Sequence, residues 1–346
     1  MPKGTVAVAL SGGVDSSVTA FLLKQQGYNV VGMTALTTHC PESENVIKNA
    51  SEVAKSLKIP FYPLDVTEVF KEKVISYFEN SYKNGETPNP CIMCNKYMKW
   101  GALFDYAMNE LGADYVATGH YANIKNDGEI YKLYPASDEH KDQLYFLFML
   151  SQEHLAKTMF PLASYKKDEV RKIAIENNLP SKSSKESQDI CFIKAPMTTK
   201  KYLNEMLKPS KGSFVEKTTG KVLGCHEGFW QYTIGQRKGI GLAAPEALYV
   251  TDIDAAKNIV YVGYKNELNA ELLILDNINW SHDVKSDDFE ALVKIRYNMK
   301  AVPANISKKD DKYNITFETP ISAIAKGQAC VIYDKHDGHL LGGGFI

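Results

Sequence analysis

The chain has 346 residues, which indicates two or three domains rather than one core. Hydrophobic residues make up 44% of it and charged residues 23%, and no apolar stretch approaches the length of a bilayer span, so the composition excludes a membrane-spanning protein. The net charge of −1 hides a basic segment, because residues 165–240 carry 15 Lys and Arg against 8 Asp and Glu. Such a segment is typical of a solvated surface and equally of a nucleic-acid-binding one.

The first residues, MPKGTVAVAL, carry one lysine and an apolar run that leads into a glycine turn. This pattern predicts a first β-strand rather than a signal peptide, and therefore a cytoplasmic protein. Six cysteines, at positions 40, 91, 94, 191, 225 and 330, are too scattered to form a disulfide framework. In a reducing compartment such cysteines are core residues, metal ligands or reactive thiols.

The first 120 residues alternate short apolar runs with helical patterns, which predicts an α/β fold with a parallel sheet between two layers of helices. The predicted strands are Thr5–Leu10, Val30–Ala35, Phe61–Asp65 and Tyr115–Thr118, and the predicted helices are Ser16–Gln26, Val46–Leu57, Val69–Tyr82 and Tyr97–Leu111. Ligands of such sheets bind beyond the carboxyl ends of the strands. The loop at Ser11 and the segment ATGHY (117–121) are both predicted to lie there.

Helical patterns continue to about Leu207, after which short strands separated by turns predominate. We expect one boundary near Pro209 and a second near Leu275. Beyond the second, KIRYN (294–298), NITFE (314–318) and ACVIYD (329–334) predict alternating strands of a small barrel or sandwich.

The string ALSGGVDSS (9–17) follows the first predicted strand and opens a helix, so its backbone amides and the helix dipole favour an anion. Gly12 and Gly13 allow close backbone approach, Ser11, Ser16 and Ser17 offer hydroxyls, and Asp15 offers oxygen ligands to Mg²⁺. The Gly-Lys-Ser/Thr ending of nucleoside triphosphatase loops is missing, which argues against γ-phosphate transfer. The structural alternative is a tight turn in which Asp15 or Ser16 only caps the helix.

The segment TPNPCIMCNK (87–96) places Cys91 and Cys94 in a proline-braced turn before a helix, where a thiol is partly stabilised as thiolate. Cys-x-x-Cys also marks zinc ribbons and redox pairs, but no second pair completes a zinc site. Further along, SKESQDICFI (184–193) places Cys191 close to Asp189. Cys191 alone is equally explained as a small buried hydrophobic residue, and Cys40 as packing or as a further thiol.

The loop SGGVDSS resembles the pyrophosphate loop (PP-loop) of the ATP pyrophosphatase superfamily, whose members split ATP between the α and β phosphates. Together with TPNPCIMCNK, ATGHYA (117–122), KDQLYFLF (141–148), SKESQDICFI, EGFWQYTIGQRKGIGL (227–242), KIRYN and the final LGGGFI, it makes nearly the whole chain similar to the bacterial and organellar tRNA-specific 2-thiouridylases. This resemblance implies a Rossmann-like PP-loop domain of the adenine nucleotide α-hydrolase type over residues 1–208. It further implies a small, mainly β central domain over 209–274 and a C-terminal β-barrel over 275–346.

The resemblance also implies a role for individual residues. ATP would be bound by Ala9, Leu10, Ser11, Gly12, Gly13, Val14, Asp15, Ser16, Ala35 and Gly119. The pocket for the flipped uridine would be lined by Asn89, Pro90 and Cys91, since a base must leave its stack to reach a buried site. Cys94 matches the nucleophile and Cys191 the persulfide cysteine. Contacts to tRNA are implied for His120, Lys141, Asp142, Gln143, Arg296, Tyr297 and Gln328.

The implied reaction is ATP- and Mg²⁺-dependent adenylation of O2 of the wobble uridine, position 34, in tRNAs of the Lys, Glu and Gln type. A cysteine desulfurase or a sulfur relay protein would supply the persulfide, and the products would be 2-thiouridine, AMP and pyrophosphate. The chain departs from many relatives at Cys91, where they have aspartate, and at Ala35, where they have a larger apolar residue.

Three alternatives remain open from the sequence. In the first, Cys91, Cys94 and Cys191 ligate an iron–sulfur cluster that carries the sulfur. In the second, the chain is a pyrophosphate-releasing ligase of a small molecule, which leaves the cysteines and the basic segment without a role. In the third, it is a nucleotide-regulated RNA-binding protein whose cysteines hold structural zinc.

Overall fold

The computed structural model describes residues 2–184, 190–194, 196–284 and 286–346, and its N-terminal part is built on a five-stranded parallel sheet. The strand order is β3-β2-β1-β4-β7, and every neighbouring pair is parallel. These strands are β1 (Thr5–Ala9), β2 (Asn29–Leu36), β3 (Phe61–Asp65), β4 (Tyr115–Ala117) and β7 (Thr158–Met159), with the hairpin β5 (Asn123–Asn126) and β6 (Tyr131–Tyr134) inserted after β4. The predicted α/β fold with a parallel sheet is confirmed, and all four predicted strands are present. The fifth strand, with two residues, is too short to leave a pattern in the sequence.

The helices of the described chain are α1 (Val14–Gln25), α2 (Pro41–Leu57), α3 (residues 67–83), α4 (residues 90–109), α5 (Gln152–Ala156), α6 (Lys167–Glu176) and α7 (Thr199–Leu207). Helices α3 and α4 each contain a π-helical stretch, Lys71–Ile75 and Asn95–Ala102. Helix α4 is interrupted at Trp100 and Gly101, whose backbone angles are not helical. Among the described helices, none has both the length and the apolar character to span a bilayer.

The helices cover both faces of the parallel sheet because its side chains alternate between two cores. Val6 and Val8 pack with α1, α2 and α6 on one face, whereas Ala7 and Met33 pack with α4 on the other. The second core continues into the C-terminal strands through Ala329 and other buried residues there. The N-terminal sheet and the C-terminal sheet therefore share one apolar core.

The rest of the chain forms two further sheets. A four-stranded sheet has the order β10-β11-β8-β9, from β8 (Gly212–Glu216), β9 (Val222–His226), β10 (Tyr249–Asp254) and β11 (Ile259–Gly263). A seven-stranded antiparallel sheet has the order β12-β16-β15-β14-β17-β18-β13, from β12 (Asn269–Leu275), β13 (Asn279–Trp280), β14 (Asp288–Lys294), β15 (Val302–Lys309), β16 (Lys312–Ser322), β17 (Ala329–Asp334) and β18 (Leu340–Phe345). Short 3₁₀ turns lie at Leu144–Leu147, Pro180–Ser183, Phe229–Gln231 and Lys265–Leu268.

Two details differ from the sequence-based expectations. Strand β12 pairs with β16, so residues 269–275 belong to the C-terminal sheet, although the predicted boundary at Leu275 placed them in the central region. Of the predicted strand KIRYN (294–298), only Lys294 belongs to β14, whereas Arg296 and Tyr297 lie in the turn that follows. The turn forms because Ile295 donates its N–H to the sulfur of Met299, four residues later, instead of continuing the ladder.

Candidate functional site

The PP-loop joins the end of β1 to the start of α1, as the sequence predicts. Gly12 has a φ of +72°, and a Cβ on it would lie 2.5 Å from Cβ of Asn49 on α2, so both backbone conformation and close packing require glycine there. The hydroxyls of Ser16 and Ser17 donate to the carbonyl of Gly13, at 3.2 and 2.7 Å, and Ser16 Oγ accepts the N–H of Ser11. These bonds hold the loop in one shape around the N-terminus of a 12-residue helix.

The side chains of this loop are not equally accessible. Leu10 and Val14 are buried and Ser17 has no exposed surface, so Leu10 and Val14 would meet a nucleotide only through backbone atoms. Ser11 is exposed, and Ala9, Gly13 and Asp15 are half-buried. Ala35, near the end of β2, is also half-buried and packs beside Leu64. The loop thus offers an anion mainly amides and the Ser11 hydroxyl.

Residues 118–121 of the ATGHY segment lie directly against the PP-loop. A Cβ on Gly119 would come within 2.9 Å of the backbone of Asp15 and Ser16, so this position needs glycine in order that the segment can touch the start of α1. Two residues later, Tyr121 donates its hydroxyl to Oδ1 of Asp15 at 2.9 Å. In this structure, Gly119 contacts the loop itself, and its packing on the nucleotide, which the resemblance implies, stays a prediction.

Asp15 does not present a free carboxylate edge. Nζ of Lys167 lies 2.7 Å from its Oδ1 and 2.6 Å from its Oδ2. A Mg²⁺ ligand needs an oxygen lone pair that a strong cationic donor does not already occupy. The arrangement of these side chains therefore does not support the prediction that Asp15 holds Mg²⁺.

The cysteine pair lies on the first turn and a half of α4 rather than in a turn before a helix. Asn89 caps this helix by accepting the N–H of Cys91 with its side chain at 3.2 Å, and Pro90 occupies the first helical position. Both are standard helix-start residues, so the helix begins earlier than its apolar periodicity predicts. Ahead of the cap, Thr87 donates its N–H to Lys326 and accepts a bond from Gln328 Nε2 at 2.6 Å. The C-terminal sheet therefore fixes the loop that leads to Cys91.

The three candidate thiols lie within electrostatic range of one another. Burial, together with negative charge on Cys94 and Cys91, raises the pKa of Cys191 to about 12. Burial also raises the pKa of Cys94 and that of Cys91, although the Lys99 ammonium opposes both shifts. The expected lowering of the Cys94 pKa by the helix N-terminus is wrong here, because desolvation outweighs it. All three are free thiols; as whole residues Cys91 and Cys191 are exposed and Cys94 is half-buried, whereas the surroundings of each thiol are desolvated enough to raise its pKa.

Cys191 is held by the residues that follow it. Phe192 contacts the rings of Phe70 and Phe78 on α3, at centroid distances of 5.9 and 5.3 Å, and Ile193 is buried. The same apolar cluster around Phe70 also contains Cys94 and Ala35. This cluster therefore joins Ala35 of the predicted nucleotide pocket to Cys94 and to Phe192, the residue that follows Cys191. Asp189, predicted close to Cys191, lies outside the described residues.

Lys99 is a site residue that the sequence analysis missed. Its Nζ lies 3.1 Å from Nε2 of His120, while Nδ1 of His120 lies 2.7 Å from the Thr118 hydroxyl. Burial lowers the pKa of His120 well below its ordinary value, and Lys99 lowers it further, so the ring is neutral and accepts from the ammonium. The spacing of five residues from Cys94 gives no signal in a regular α-helix, and Lys99 lies in a π-helical stretch that the sequence does not predict.

The residues predicted to contact tRNA divide into exposed and enclosed ones. Arg296 is exposed, and its side chain donates to the carbonyl of Ser322 at 3.1 Å. His120, by contrast, is only 6% exposed, so its ring contacts interior residues rather than solvent. Lys141, Asp142, Gln143, Tyr297 and Gln328 are half-buried.

Several of these half-buried side chains are already engaged. Gln143 accepts the N–H of Tyr121, and Tyr297 packs on Phe146 with ring centroids 4.5 Å apart. Burial raises the pKa of Asp142 to about 6. These residues shape the ATGHY segment and its surroundings, and their contact with tRNA stays a prediction.

Metal-ligand geometry is found at one place among the side chains of the described residues. Among the described residues, the group of three metal-ligand side chains with atoms within 4.8 Å of one another is Asp334, Asp337 and His339, in the turn between β17 and β18. Cys91, Cys94 and Cys191 do not form such a group. The zinc alternative thus has no support in their geometry, and no step is routed through an iron–sulfur cluster.

The remaining cysteines lie apart from this arrangement. Cys330 is fully buried in β17, and Cys225 is exposed on β9. Cys40 precedes α2, and bonds with Ser43 and Thr38 lower its pKa.

Known families match the chain along its whole length. Residues 4–195 match a family described as tRNA methyl transferase HUP domain, residues 200–264 the tRNA methyl transferase PRC-barrel domain, and residues 270–346 the aminomethyltransferase beta-barrel domain. A U34-tRNA thiolase of Methanococcus maripaludis with a [4Fe-4S] cluster has a related structure, with 18% identity, a TM-score of 0.37 and coverage of 59% of this chain and 64% of that one.

Curated relatives are much more similar in sequence. The tRNA-specific 2-thiouridylase MnmA of Clostridium acetobutylicum is 45% identical, over 99% of this chain and 98% of its own. The protein of the same name from Chlorobium phaeovibrioides is 40% identical, over 99% and 97%. Identity of this extent, together with a PP-loop that touches the ATGHY segment and thiols gathered around Lys99, shows that the chain belongs to the tRNA-specific 2-thiouridylase family.

Proposed function

We propose that the chain is a tRNA uridine 2-sulfurtransferase, which activates O2 of the wobble uridine with ATP and replaces it with sulfur. This proposal depends on one structural observation, which is that residues 118–121 link the PP-loop to the region of the three thiols. Gly119 and Tyr121 touch the loop, and His120 touches Lys99 beside the thiols. A small-molecule ligase would need the first element but not the second.

In the proposed reaction, the PP-loop amides and Ser11 bind the phosphates of ATP. The uridine O2 attacks the α-phosphorus, and the bond to pyrophosphate breaks, which turns a poor leaving group into an adenylate. Preorganised amides at the helix N-terminus stabilise the negative charge of the departing pyrophosphate. Mg²⁺, which family resemblance implies, would add positive charge to the phosphates when bound.

Sulfur transfer would then use the thiols. A persulfide received from a donor protein sits on Cys191, and its terminal sulfur attacks C2 of the adenylate, from which AMP leaves. Cys94 attacks Sγ of Cys191 and forms a disulfide, and the bond between this Sγ and the transferred sulfur breaks, so the two cysteines are oxidised while the sulfur left on C2 is reduced. An external thiol must reduce the disulfide before the next turnover. Both cysteines are free thiols, and the negative charge of a Cys94 thiolate would raise the pKa of Cys191, so their proximity supports this pairing.

The tRNA partner is supported by surface charge. The basic segment 165–240 contributes exposed lysines or arginines to α6, to α7 and to the central sheet, for example Arg171, Lys200 and Lys217. We propose that these residues contact the tRNA phosphates and that Asn89, Pro90 and Cys91 border the uridine. Tyr77 donates to Gly327 next to this border, so α3, α4 and the C-terminal sheet would form one wall. The set of tRNAs, the Lys, Glu and Gln type, and a cytoplasmic location stay predictions.

The experiment that tests the proposal is nucleoside mass spectrometry of tRNA incubated with the purified protein, ATP, Mg²⁺ and a persulfide donor. We expect 2-thiouridine at position 34 together with AMP and pyrophosphate. ATP cleavage on a small molecule with unmodified tRNA would instead identify a ligase. Retention of tRNA without any pyrophosphate release would identify a binding protein.

A further inference from the structure

A buried charge cluster at the nucleotide edge of the site has no role in the reaction described above. Lys167, the first residue of α6, is 8% exposed, although lysine is almost never buried unless its charge is paired. Its Nζ reaches both oxygens of Asp15, whose side chain is 32% exposed. The ammonium also lies 5.7 Å from the ring centroid of Tyr121, which itself donates to Asp15. Three separate segments thus meet on the single carboxylate of the PP-loop.

The position of Lys167 is fixed from the backbone outward. Its N–H donates to Oδ2 of Asp138 at 2.9 Å, which anchors the start of α6. The same helix packs its buried Val170 and Ala174 in the core that holds Val14 and Val18 of α1. The ammonium therefore reaches Asp15 from a rigid helix and not from a mobile surface chain.

Electrostatics explains why the PP-loop would need this cation. Asp15 lies in the first turn of α1, beside the amides that would receive the phosphates of ATP. An unpaired carboxylate there would repel the polyanion, and the partly desolvated surroundings would strengthen that repulsion. A salt bridge to Lys167 cancels the charge and, with Tyr121, holds the carboxylate in place.

We propose that Lys167 is a positioning residue of the ATP site, which neutralises and orients Asp15 so that the loop can accept the phosphates. This inference rests on the proposed use of ATP. It differs from the role first expected for Asp15, because the carboxylate acts here as the partner of a protein cation rather than as a metal ligand. Lys167 itself contacts no substrate in this scheme.

The test is calorimetric ATP binding, with and without Mg²⁺, to the full chain and four variants. We expect Lys167→Met to weaken ATP binding by about tenfold or more, since it leaves Asp15 unpaired. Asp15→Asn alone is the reference for the double variant, because it already lacks the carboxylate whose charge Lys167 offsets. The double variant Asp15→Asn/Lys167→Met should recover most of the affinity that Lys167→Met loses, because the carboxylate that Lys167 offsets is then absent. Lys166→Met, which removes the exposed neighbouring charge, is the matched control and should have no effect.

Each outcome decides the proposal. Unchanged affinity in Lys167→Met would overturn it, and so would a loss that Asp15→Asn does not repair, because the ammonium would then act on the phosphates directly. Recovery in the double variant also shows that the protein folds without the lysine. Absence of ATP binding by the unchanged chain would refute the proposed function instead, which keeps the two failures distinct.

Discussion

The Lys99 ammonium lies 3.1 Å from Nε2 of a buried, neutral His120, and its charge acts on all three candidate thiols. Reactivity of a cysteine follows its thiolate fraction. Lys99 is thus the group that partly offsets the desolvation of Cys91, Cys94 and Cys191.

We predict that Lys99→Met slows alkylation of these cysteines by iodoacetamide by about tenfold near neutral pH, because their pKa values rise when the ammonium is removed. Lys99→Arg should preserve most of the rate, and Lys96→Met, one turn earlier on the same helix, should leave it unchanged. Peptide mass spectrometry over a pH series would measure each site. Because burial raises their pKa values, the rates should climb with pH in every variant. Equal profiles for Lys99→Met and the unchanged chain would contradict this assignment.

The three thiols are expected to differ in importance. Cys94→Ser and Cys191→Ser should each abolish 2-thiouridine formation, because each removes one sulfur of the proposed disulfide. Cys91→Ser should retain activity, since that cysteine takes no part in the bond changes. The assay is nucleoside mass spectrometry with ATP, tRNA and a persulfide donor. Full activity in either of the first two variants would remove the persulfide scheme.

The iron–sulfur alternative calls for its own measurement. We expect protein purified without oxygen and then stripped of iron to keep its activity with a persulfide donor. Iron content and the visible absorption spectrum check the starting material. Activity that is lost with the iron and returns on reconstitution would show instead that Cys91, Cys94 and Cys191 carry a cluster.

Gly119→Ala should weaken ATP binding, because its Cβ would lie 2.9 Å from the backbone of Asp15 and Ser16. Such overpacking costs about 1 to 3 kcal/mol of the free energy of unfolding. The control is Gly128→Ala in the β5–β6 hairpin, where φ is +100° and no heavy atom lies within 4 Å of the added carbon. It should lower stability through backbone strain without changing ATP affinity. Calorimetry and thermal unfolding together separate the two effects.

Asp142 should make the protein less stable as the pH rises. Burial raises the pKa of its carboxyl from 3.8 to about 6, so the unfolded chain ionises first. Below about pH 4 this carboxyl is neutral in both the folded and the unfolded chain and does not lower the free energy of unfolding. As the pH rises to about 6, ionisation in the unfolded chain lowers that free energy. Asp142→Asn keeps an acceptor for the N–H of Ala136 and should add about 2 kcal/mol at pH 7 but little at pH 4. Urea unfolding at both pH values measures this, and an equal effect at both would rule the explanation out.

The sequence predicts the parts of this molecule that depend on local pattern. The strand-loop-helix unit around Ser11 is visible because apolar strand residues, two glycines and a helical periodicity follow one another, and the structure has the same order. The start of α4 is missed because Asn89 and Pro90 begin the helix, while the apolar periodicity becomes regular only later. The capping residues and the apolar periodicity predict different starts for this helix, and the start that the capping residues predict is the one observed.

The contacts that make the site depend on residues far apart in the chain. Lys167 meets Asp15 across 152 residues, and His120 meets Lys99 across 21. Their pairing arises from how α6 packs on α1 and how α4 crosses the sheet edge, which no local periodicity encodes. Burial has the same origin, so the raised pKa of Cys94 could not be read from its place near a helix start.

The bonds of Lys326 and Gln328 to the loop before Cys91 have a consequence for the chain while it is still on the ribosome. Gln328 bonds to Thr87 across 241 residues, and Thr87 in turn donates to Lys326. A nascent chain that has emerged as far as α6 already contains all five strands of its parallel sheet and its PP-loop. It still lacks the partners that fix the approach to its thiols. During translation the ATP half of the site would therefore mature before the sulfur half, so a partly made chain would lack a finished path for sulfur.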